Sequence, residues 1–238
     1  MRCFAPRSRS GRPKDPAKHD AIVAAAVHLF SQHPFDVVTM EAVATQARVS
    51  KMTVYSHFSD KESLFETIVS SISDRMVAAF AAEGREGLSL RDRLQATGVA
   101  FLSILLRPDV MGLSQMLPTA LRGRQALTLR FYDAGPGRVK AALAGLIDDA
   151  AKQGEIAIDD PILAAEDLFS LWEGGLRAEN GCGLIGPITD AMIAQRVRRG
   201  TGVFLRAYAP ETPSPGKLIP SAAPAAPASG STRIARSD

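Results

Sequence analysis

Apolar residues along most of this chain recur every three or four positions, which is typical of helices that bury one face. The first predicted helix begins at Asp15 and Pro16, which suit an N-cap and a first helical position, and ends before Pro34. Its buried stripe is Ile22, Ala26, Leu29 and Phe30. No alternating stretch is long enough to predict a strand, so we expect an all-α fold.

The segment 39–64, TMEAVATQARVSKMTVYSHFSDKESL, predicts two short helices joined by a tight turn and then a third helix. Thr39 can cap the first helix, which buries Met40, Val43 and Ala47. Ser50 can cap the second, which buries Val54 and Phe58. The outward residues of this second helix carry cationic, hydroxyl and imidazole groups. Such a face suits contact with phosphates and base edges in a DNA major groove.

A long helix is predicted to follow, starting at a capping box of Ser59 and Glu62. Lys61 lies in its first turn, where exposed backbone N–H groups favour an anion. Further helical segments are predicted over 90–106, 110–117, 121–132, 139–153, 161–177 and 190–208. We expect Pro108 and Pro118 to end two of these segments, and Gly154 to follow the end of another.

The charge is concentrated at the N-terminus, although the net charge of the chain is only +3. The first eighteen residues carry six basic side chains and one acidic one. We expect 1–14 to be a disordered basic arm, in which Arg12 and Lys14 either contact the DNA backbone or minor groove or belong to a solvated tail. The Pro-, Ala- and Ser-rich segment 210–238 is expected to be a disordered tail.

The first seventy residues resemble the helix-turn-helix domain of the TetR/AcrR family of bacterial transcriptional regulators. The resemblance rests on Gly11, Arg12, Pro13, Ile22, Ala25, Ala26, Leu29, Phe30, Thr39, Val43, Ala44, Ala47, Val49, Ser50, Tyr55, His57, Phe58, Lys61, Glu62 and Leu64. Two positions depart from the family pattern. Arg48 stands where the family usually has Gly, so either it contacts a phosphate or the turn tolerates a strain of about 1 kcal/mol. Met52 replaces a small residue, and it could touch a thymine methyl group or simply pack.

The resemblance implies a DNA-binding domain over 15–72 and a helical effector-binding and dimerisation domain over 73–209. It implies a homodimer that binds a pseudo-palindromic double-stranded operator, most simply as a repressor. The implied DNA contacts are Arg12, Lys14, Thr39, Arg48, Ser50, Lys51, Met52, Thr53, Tyr55, Ser56, His57 and Lys61. The order of the later segments also resembles the C-terminal domain of the AefR-like type, which implies dimerisation through helices 161–177 and 190–208. Gly174 and Gly175 would there permit close approach or simply weaken the helix.

The large helical domain needs a role beyond reading DNA, and its Met and aromatic residues suit an apolar cavity for a hydrophobic small-molecule effector. Six residues are candidates for the wall of this cavity, although ordinary core is the simpler role for each. They are Phe101, Leu105, Met111, Met116, Phe131 and Trp172.

Catalytic and metal motifs are not found in the sequence: the four histidines lack zinc spacing, and no phosphate-binding glycine loop or nucleophile elbow occurs. We therefore expect no enzyme activity, no cofactor and no metal. Two distant cysteines, no long apolar run and no signal-peptide pattern favour the cytoplasm over a membrane, with mitochondrial targeting as a minor alternative. The competing hypotheses are a helical enzyme or small-molecule-binding module, and a ligand-independent activator or architectural DNA-binding protein.

Overall fold

The computed structural model describes residues 15–83 and 87–210, and all regular structure in these ranges is helical. The eleven helices of this part of the chain are α1 Pro16–Gln32, α2 Met40–Gln46, α3 Lys51–His57, α4 Lys61–Glu83, α5 Leu90–Leu105, α6 Pro108–Leu121, α7 Gln125–Ala134, α8 Pro136–Lys152, α9 Pro161–Glu173, α10 Leu176–Gly181 and α11 Asp190–Ala207. This architecture confirms the all-α prediction, and no strand occurs among the described residues.

Short polar side chains cap most of these helices where the sequence indicates. Asp15 accepts a hydrogen bond from the Ala17 amide, and Thr39 accepts one from the Ala42 amide. Asp160 and Thr189 cap α9 and α11 in the same way. Each such cap satisfies backbone donors that the first helical turn leaves without a partner.

The helices enclose two hydrophobic cores that α4 connects. The N-terminal core contains Phe30, Val54 and Phe65 together with Leu113 and Met116 from α6. The C-terminal core is built mainly by α5, α8, α9 and α11 around the fully buried Trp172. The indole N–H of Trp172 donates a hydrogen bond of 3.0 Å to Thr201 Oγ1. The predicted domain boundary between residues 72 and 73 therefore falls within α4. We call α1, α2, α3 and the start of α4 the head, and α6 packs against its helix α1.

Several predicted helix ends are wrong. The start of α4 is capped by Asp60 and not by Ser59, because Asp60 Oδ1 accepts from the Ser63 amide at 2.7 Å. Pro118 lies inside α6 and does not end it. The apolar packing of Met116 and Ala120 holds the helix through the proline.

Two other segments begin or end differently from the prediction. α8 starts at Pro136, a residue that suits a first helical position, and not at Val139. α9 ends at Glu173 because Gly174 adopts a φ of +47°. The guanidinium group of Arg196 occupies the space that a Cβ at Gly174 would need, so this glycine permits a close approach.

No single helix in the described ranges is both long and apolar enough to cross a membrane, and one bent pair, α5 with α6 at 73°, meets the length and composition criteria jointly.

Candidate nucleic-acid interface

The turn between α2 and α3 depends on Arg48, whose φ is +55°. In this left-handed conformation the Arg48 and Val49 amides donate to Thr45 O and Ala44 O, at 3.1 and 3.0 Å. These bonds satisfy carbonyls at the end of α2 and turn the chain into α3. The prediction of a left-handed backbone at this position is confirmed, and the Arg48 side chain is exposed beside the turn.

The helix α3 has one buried face and one exposed face. Val54 is fully buried and Phe58 is 5% exposed, so both anchor α3 in the N-terminal core, as predicted. On the opposite face Met52 is 80% exposed and Tyr55 is 43% exposed. An exposed methionine and tyrosine on a short helix place apolar and hydroxyl groups where a DNA groove could meet them.

The hydroxyl groups of α3 hold the first turn of the helix in shape. Ser50 Oγ accepts from the Thr53 amide at 3.1 Å and lies 2.8 Å from Thr53 Oγ1. Ser56 Oγ donates to Thr53 O at 2.7 Å. Ser50, Thr53 and Ser56 therefore already have a local structural role, as does the capping hydroxyl of Thr39.

Lys51 forms an ion pair with Glu41, which lies on α2. The Lys51 ammonium nitrogen also lies 5.7 Å from the centroid of the Tyr55 ring. The hydrogen bond with Lys51 lowers the pKa of Glu41, and the same bond raises the pKa of Lys51. Both groups are thus charged near neutral pH, and Glu41 competes with any second anion for the Lys51 ammonium group.

Lys61 lies in the first turn of α4 but its side chain turns back towards the loop before α2. Its ammonium group donates to Phe35 O at 2.7 Å and lies 4.4 Å from the centroid of the Phe35 ring. An ammonium group has three donors, so this bond leaves capacity for a second partner. Lys61 therefore connects α4 to the α1–α2 loop at the edge of the head.

His57 is half-buried at the C-terminal end of α3. Its ring lies 6.0 Å from the ring of His19 on α1 and 6.3 Å from the ring of Phe58, measured between centroids. This packing fixes the end of α3 against α1.

The remaining predicted DNA contacts, Arg12 and Lys14, lie outside the described residues.

The six candidates for an effector cavity are not brought together. Phe101, Leu105, Met111 and Trp172 belong to or pack against the C-terminal core, whereas Met116 and Phe131 belong to or pack against the N-terminal core. Aromatic rings fill the space beside Phe101, since the Phe101 and Phe169 centroids are 4.5 Å apart. The prediction of these wall residues stays a prediction.

Sequence reasoning missed the residues that join the head to the α6–α7 turn. Arg124 donates to Asp36 at 2.6 Å, and its guanidinium carbon lies 5.4 Å from the Phe35 ring centroid. The Arg124 hydrogen bond lowers the pKa of Asp36, with smaller contributions from the charges of Arg124 and Lys61. Asp36 and Arg124 are 88 positions apart, and no local pattern connects them.

Comparison with known families agrees with this arrangement. Residues 22–68 match the model described as bacterial regulatory proteins of the tetR family. Residues 92–210, half of the chain, match the AefR-like transcriptional repressor C-terminal domain. The curated helix-turn-helix transcriptional regulator YdeS of Bacillus subtilis is 38% identical over 71 residues, which cover 29% of this chain and 36% of YdeS.

Solved structures share the fold over nearly their whole length. A protein assigned to the TetR-family transcriptional regulators of Mesorhizobium loti is 26% identical, with a TM-score of 0.70 over 83% of this chain and 99% of that one. The flavonoid-responsive regulator FrrA is 27% identical, with a TM-score of 0.64 over 83% of this chain and all of its own. Because residues 22–68 match the tetR-family model and residues 92–210 match the AefR-like C-terminal domain, the chain belongs to the TetR family of DNA-binding transcriptional regulators.

Proposed function

We propose that this regulator is a homodimeric repressor in the cytoplasm, which binds a pseudo-palindromic operator and is released from it by a small molecule. The observation that carries the proposal is the two-sided character of α3. Its buried face is fixed in the head by Val54 and Phe58, and its other face exposes Met52 and Tyr55. A rigid helix with one exposed polar and apolar face suits insertion into a major groove.

In the proposed complex, α3 supplies the base contacts and the residues around it bind the phosphates of the DNA backbone. Met52 and Tyr55 are exposed large hydrophobic side chains of α3 and would reach base edges. Arg48 and Lys61, at the turn and at the start of α4, would contact phosphates. Lys51 would move from Glu41 to the DNA backbone.

Dimerisation is proposed through α9 and α11, which pack against each other in the C-terminal part of the chain. Two large apolar side chains near the start of α9 support this proposal, because Ile162 is 42% exposed and Leu163 is 57% exposed. Exposed apolar groups of this size are typical of surfaces that another protein covers. A dimer would have to hold its two copies of α3 about 34 to 36 Å apart to fit successive major grooves.

Release by an effector is supported by the continuous packing between the two parts of the chain. Leu113 and Met116 of α6 lie in the core of the head, and Arg124 binds the loop that precedes α2. A ligand that prefers a different position of α6 would therefore change the spacing of the two copies of α3. A coupling free energy of about 1 to 3 kcal/mol would change operator occupancy from several-fold to about a hundredfold. The related regulator FrrA is flavonoid-responsive, which fits a small-molecule signal.

An electrophoretic shift with DNA from upstream of the gene tests the proposal, with competitor DNA to measure sequence preference. Tyr55→Ala and Lys61→Ala should each weaken operator binding while the dimer stays folded. Lys61→Ala should also lower the salt slope, the steepness with which log K of binding falls with log salt concentration, by about one. Lys152→Ala is the matched control, because Lys152 is an exposed lysine at the end of α8 that pairs with Asp148.

Other outcomes would favour the rival functions. Absent or sequence-independent DNA binding would support a small-molecule-binding module. Specific binding that no small molecule weakens would support an architectural protein, and increased transcription from the bound promoter would support an activator. An unchanged salt slope in Lys61→Ala would contradict the phosphate contact of that residue.

A further inference from the structure

A cleft of about 500 Å³ lies where the DNA-binding head meets the rest of the chain. Its walls come from α1, from the middle of α4 and from the start of α6, so it touches both the head and the region proposed to sense the effector. Its volume falls in the range of about 300 to 1,000 Å³ that small-molecule sites occupy. None of the six predicted cavity residues lines it.

The floor of the cleft is aliphatic. Val23 and Val27 of α1, Ile68 and Ile72 of α4, and Val110 of α6 line it, and no Phe, Tyr or Trp of the described ranges does. Aliphatic walls of this kind take up a hydrocarbon chain, because the burial of each CH₂ group is favourable by about 0.8 kcal/mol.

Two arginines line this cleft, and Arg107 is the one that an ion pair holds among the described residues. Arg107 is held by Asp109 through two hydrogen bonds of 2.7 and 3.0 Å. Burial alone would raise the pKa of Asp109, but the bond and charge of Arg107 outweigh it and lower the pKa, so this pair stays ionised and matched. Asp20 lies beside the His19 ring, with 3.2 Å between Oδ1 and Nδ1. Arg75 lines the same cleft and has no ion-pair partner in 15–83 or 87–210.

We infer that this cleft binds an amphipathic monoanion, a small molecule with an aliphatic chain and one carboxylate, whose chain covers the valine and isoleucine floor and whose carboxylate pairs with Arg75. A guanidinium group presents a planar pair of donors that matches one carboxylate, so a single carboxylate is the group that Arg75 would bind. The inference rests on the proposed function, and it names the chemical class and the place of the effector.

The position of the cleft explains how such a ligand would act on the head. Ser31 lines the cleft on α1, and directly beside it α6 approaches α1 so closely that a Cβ at Gly112 would lie 2.5 Å from Ser31 O. A molecule in the cleft touches both helices beside this contact. It acts on the head if it binds more tightly when α1 and α6 take different relative positions, because α1 belongs to the head.

Calorimetric titration of the full-length chain with octanoate, and with 1-octanol as the uncharged probe of equal length, tests the inference. Octanoate should bind at least tenfold more tightly than 1-octanol. Arg75→Gln should abolish that difference, and Ala24→Phe should weaken both probes because Ala24 is an exposed residue that lines the cleft. Two control variants, Arg91→Gln and Ala17→Phe, change exposed residues outside the cleft and should bind both probes like the wild type.

The inference is overturned if octanoate does not bind, if both probes bind equally well, or if Ala24→Phe and Arg75→Gln bind octanoate like the wild type. Operator affinity, measured separately with and without octanoate, distinguishes a failure of the proposed function from a failure of the proposed ligand site. A chain without specific DNA binding refutes the proposed function and leaves the calorimetric result standing. Octanoate that binds in the cleft without lowering operator affinity refutes the regulatory role of this site.

Discussion

Arg124 and Asp36 form an ion pair of 2.6 Å between the α6–α7 turn and the loop that precedes α2. The Phe35 ring is close to two cations, with the Arg124 guanidinium carbon 5.4 Å and the Lys61 ammonium 4.4 Å from its centroid. Four side chains from three different parts of the chain thus meet at one loop. We therefore expect a movement of the α6–α7 turn to reach the head at this point.

Loss of this pair should weaken the response to the effector more than it weakens the fold. Asp36 is largely exposed and Arg124 is half-buried at the surface, so Arg124→Gln should change the free energy of unfolding only slightly. Operator affinity with and without effector should differ less in Arg124→Gln than in the wild type, and Asp36→Asn should reproduce this effect. If the double variant loses the sum of the two single effects, the residues act independently and the coupling through the pair is wrong.

The head could be predicted closely from the sequence because its signals are local. Caps at Asp15, Thr39 and Ser50 lie next to apolar residues at helical spacing, and each appears where predicted. The left-handed turn at Arg48 was also predictable from the resemblance, since the family places a glycine there. Local rules determine these features almost completely.

The relationships between distant segments could not be predicted from the same rules. Pro118 is a helix breaker by intrinsic preference, but the contacts of α6 with α1 outweigh a cost of about 3 kcal/mol. The docking of α6 on the head depends on Gly112, which no periodicity distinguishes from any other glycine. The Lys51–Glu41 pair and the cleft at Arg75 likewise exist only through the relative placement of helices.

Gly112→Ala should destabilise the protein. A Cβ at this position would lie 2.5 Å from Ser31 O and 3.0 Å from Ser31 Cβ, so α6 and α1 would have to separate. We expect a loss of about 1 to 3 kcal/mol in the free energy of unfolding, measured by denaturant titration. Gly145→Ala is the matched control, because nothing lies within 4 Å of its Cβ position inside α8. That control should gain about 0.5 to 1 kcal/mol, and equal behaviour of the two variants would contradict the close contact.

Arg48→Gly should stabilise the fold and weaken DNA binding at the same time. Glycine adopts a φ of +55° without the steric cost of a side chain, so we expect a gain of about 1 kcal/mol in the free energy of unfolding. If Arg48 contacts a phosphate, the salt slope of operator binding should fall by about one. Arg48→Asn provides a second variant that tolerates this conformation without the positive charge. Higher stability with an unchanged salt slope would show that the turn merely tolerates the arginine.

Asp60 should contribute to stability in a pH-dependent way. Its bond from the Ser63 amide lowers its pKa in the folded protein, with further bonds from Ser59 and Ser63. A carboxyl group with a lowered folded pKa adds stability above its unfolded pKa, and this stability is lost as the pH falls through the folded value. Asp60→Ala should cost about 0.5 to 2 kcal/mol at pH 7, and less in acid. Unfolding curves at pH 7 and below pH 4 measure this difference, and an equal loss at both would refute the charged cap.

Glu41→Gln should strengthen DNA binding. Glu41 holds the ammonium group of Lys51 on the outer surface of the head, and the bond between them raises the pKa of Lys51. In the wild type, a phosphate must compete with this carboxylate for Lys51. Removal of the charge on Glu41 also removes a repulsion between the head and the DNA backbone, and this effect must be separated from the release of Lys51. Gel-shift titrations should show a several-fold higher operator affinity for Glu41→Gln and a steeper salt dependence. The gain from Glu41→Gln should be smaller when the change is made in Lys51→Ala than in the wild type. A gain of equal size in both backgrounds would arise from charge removal alone, and Lys51 would then not contact the DNA.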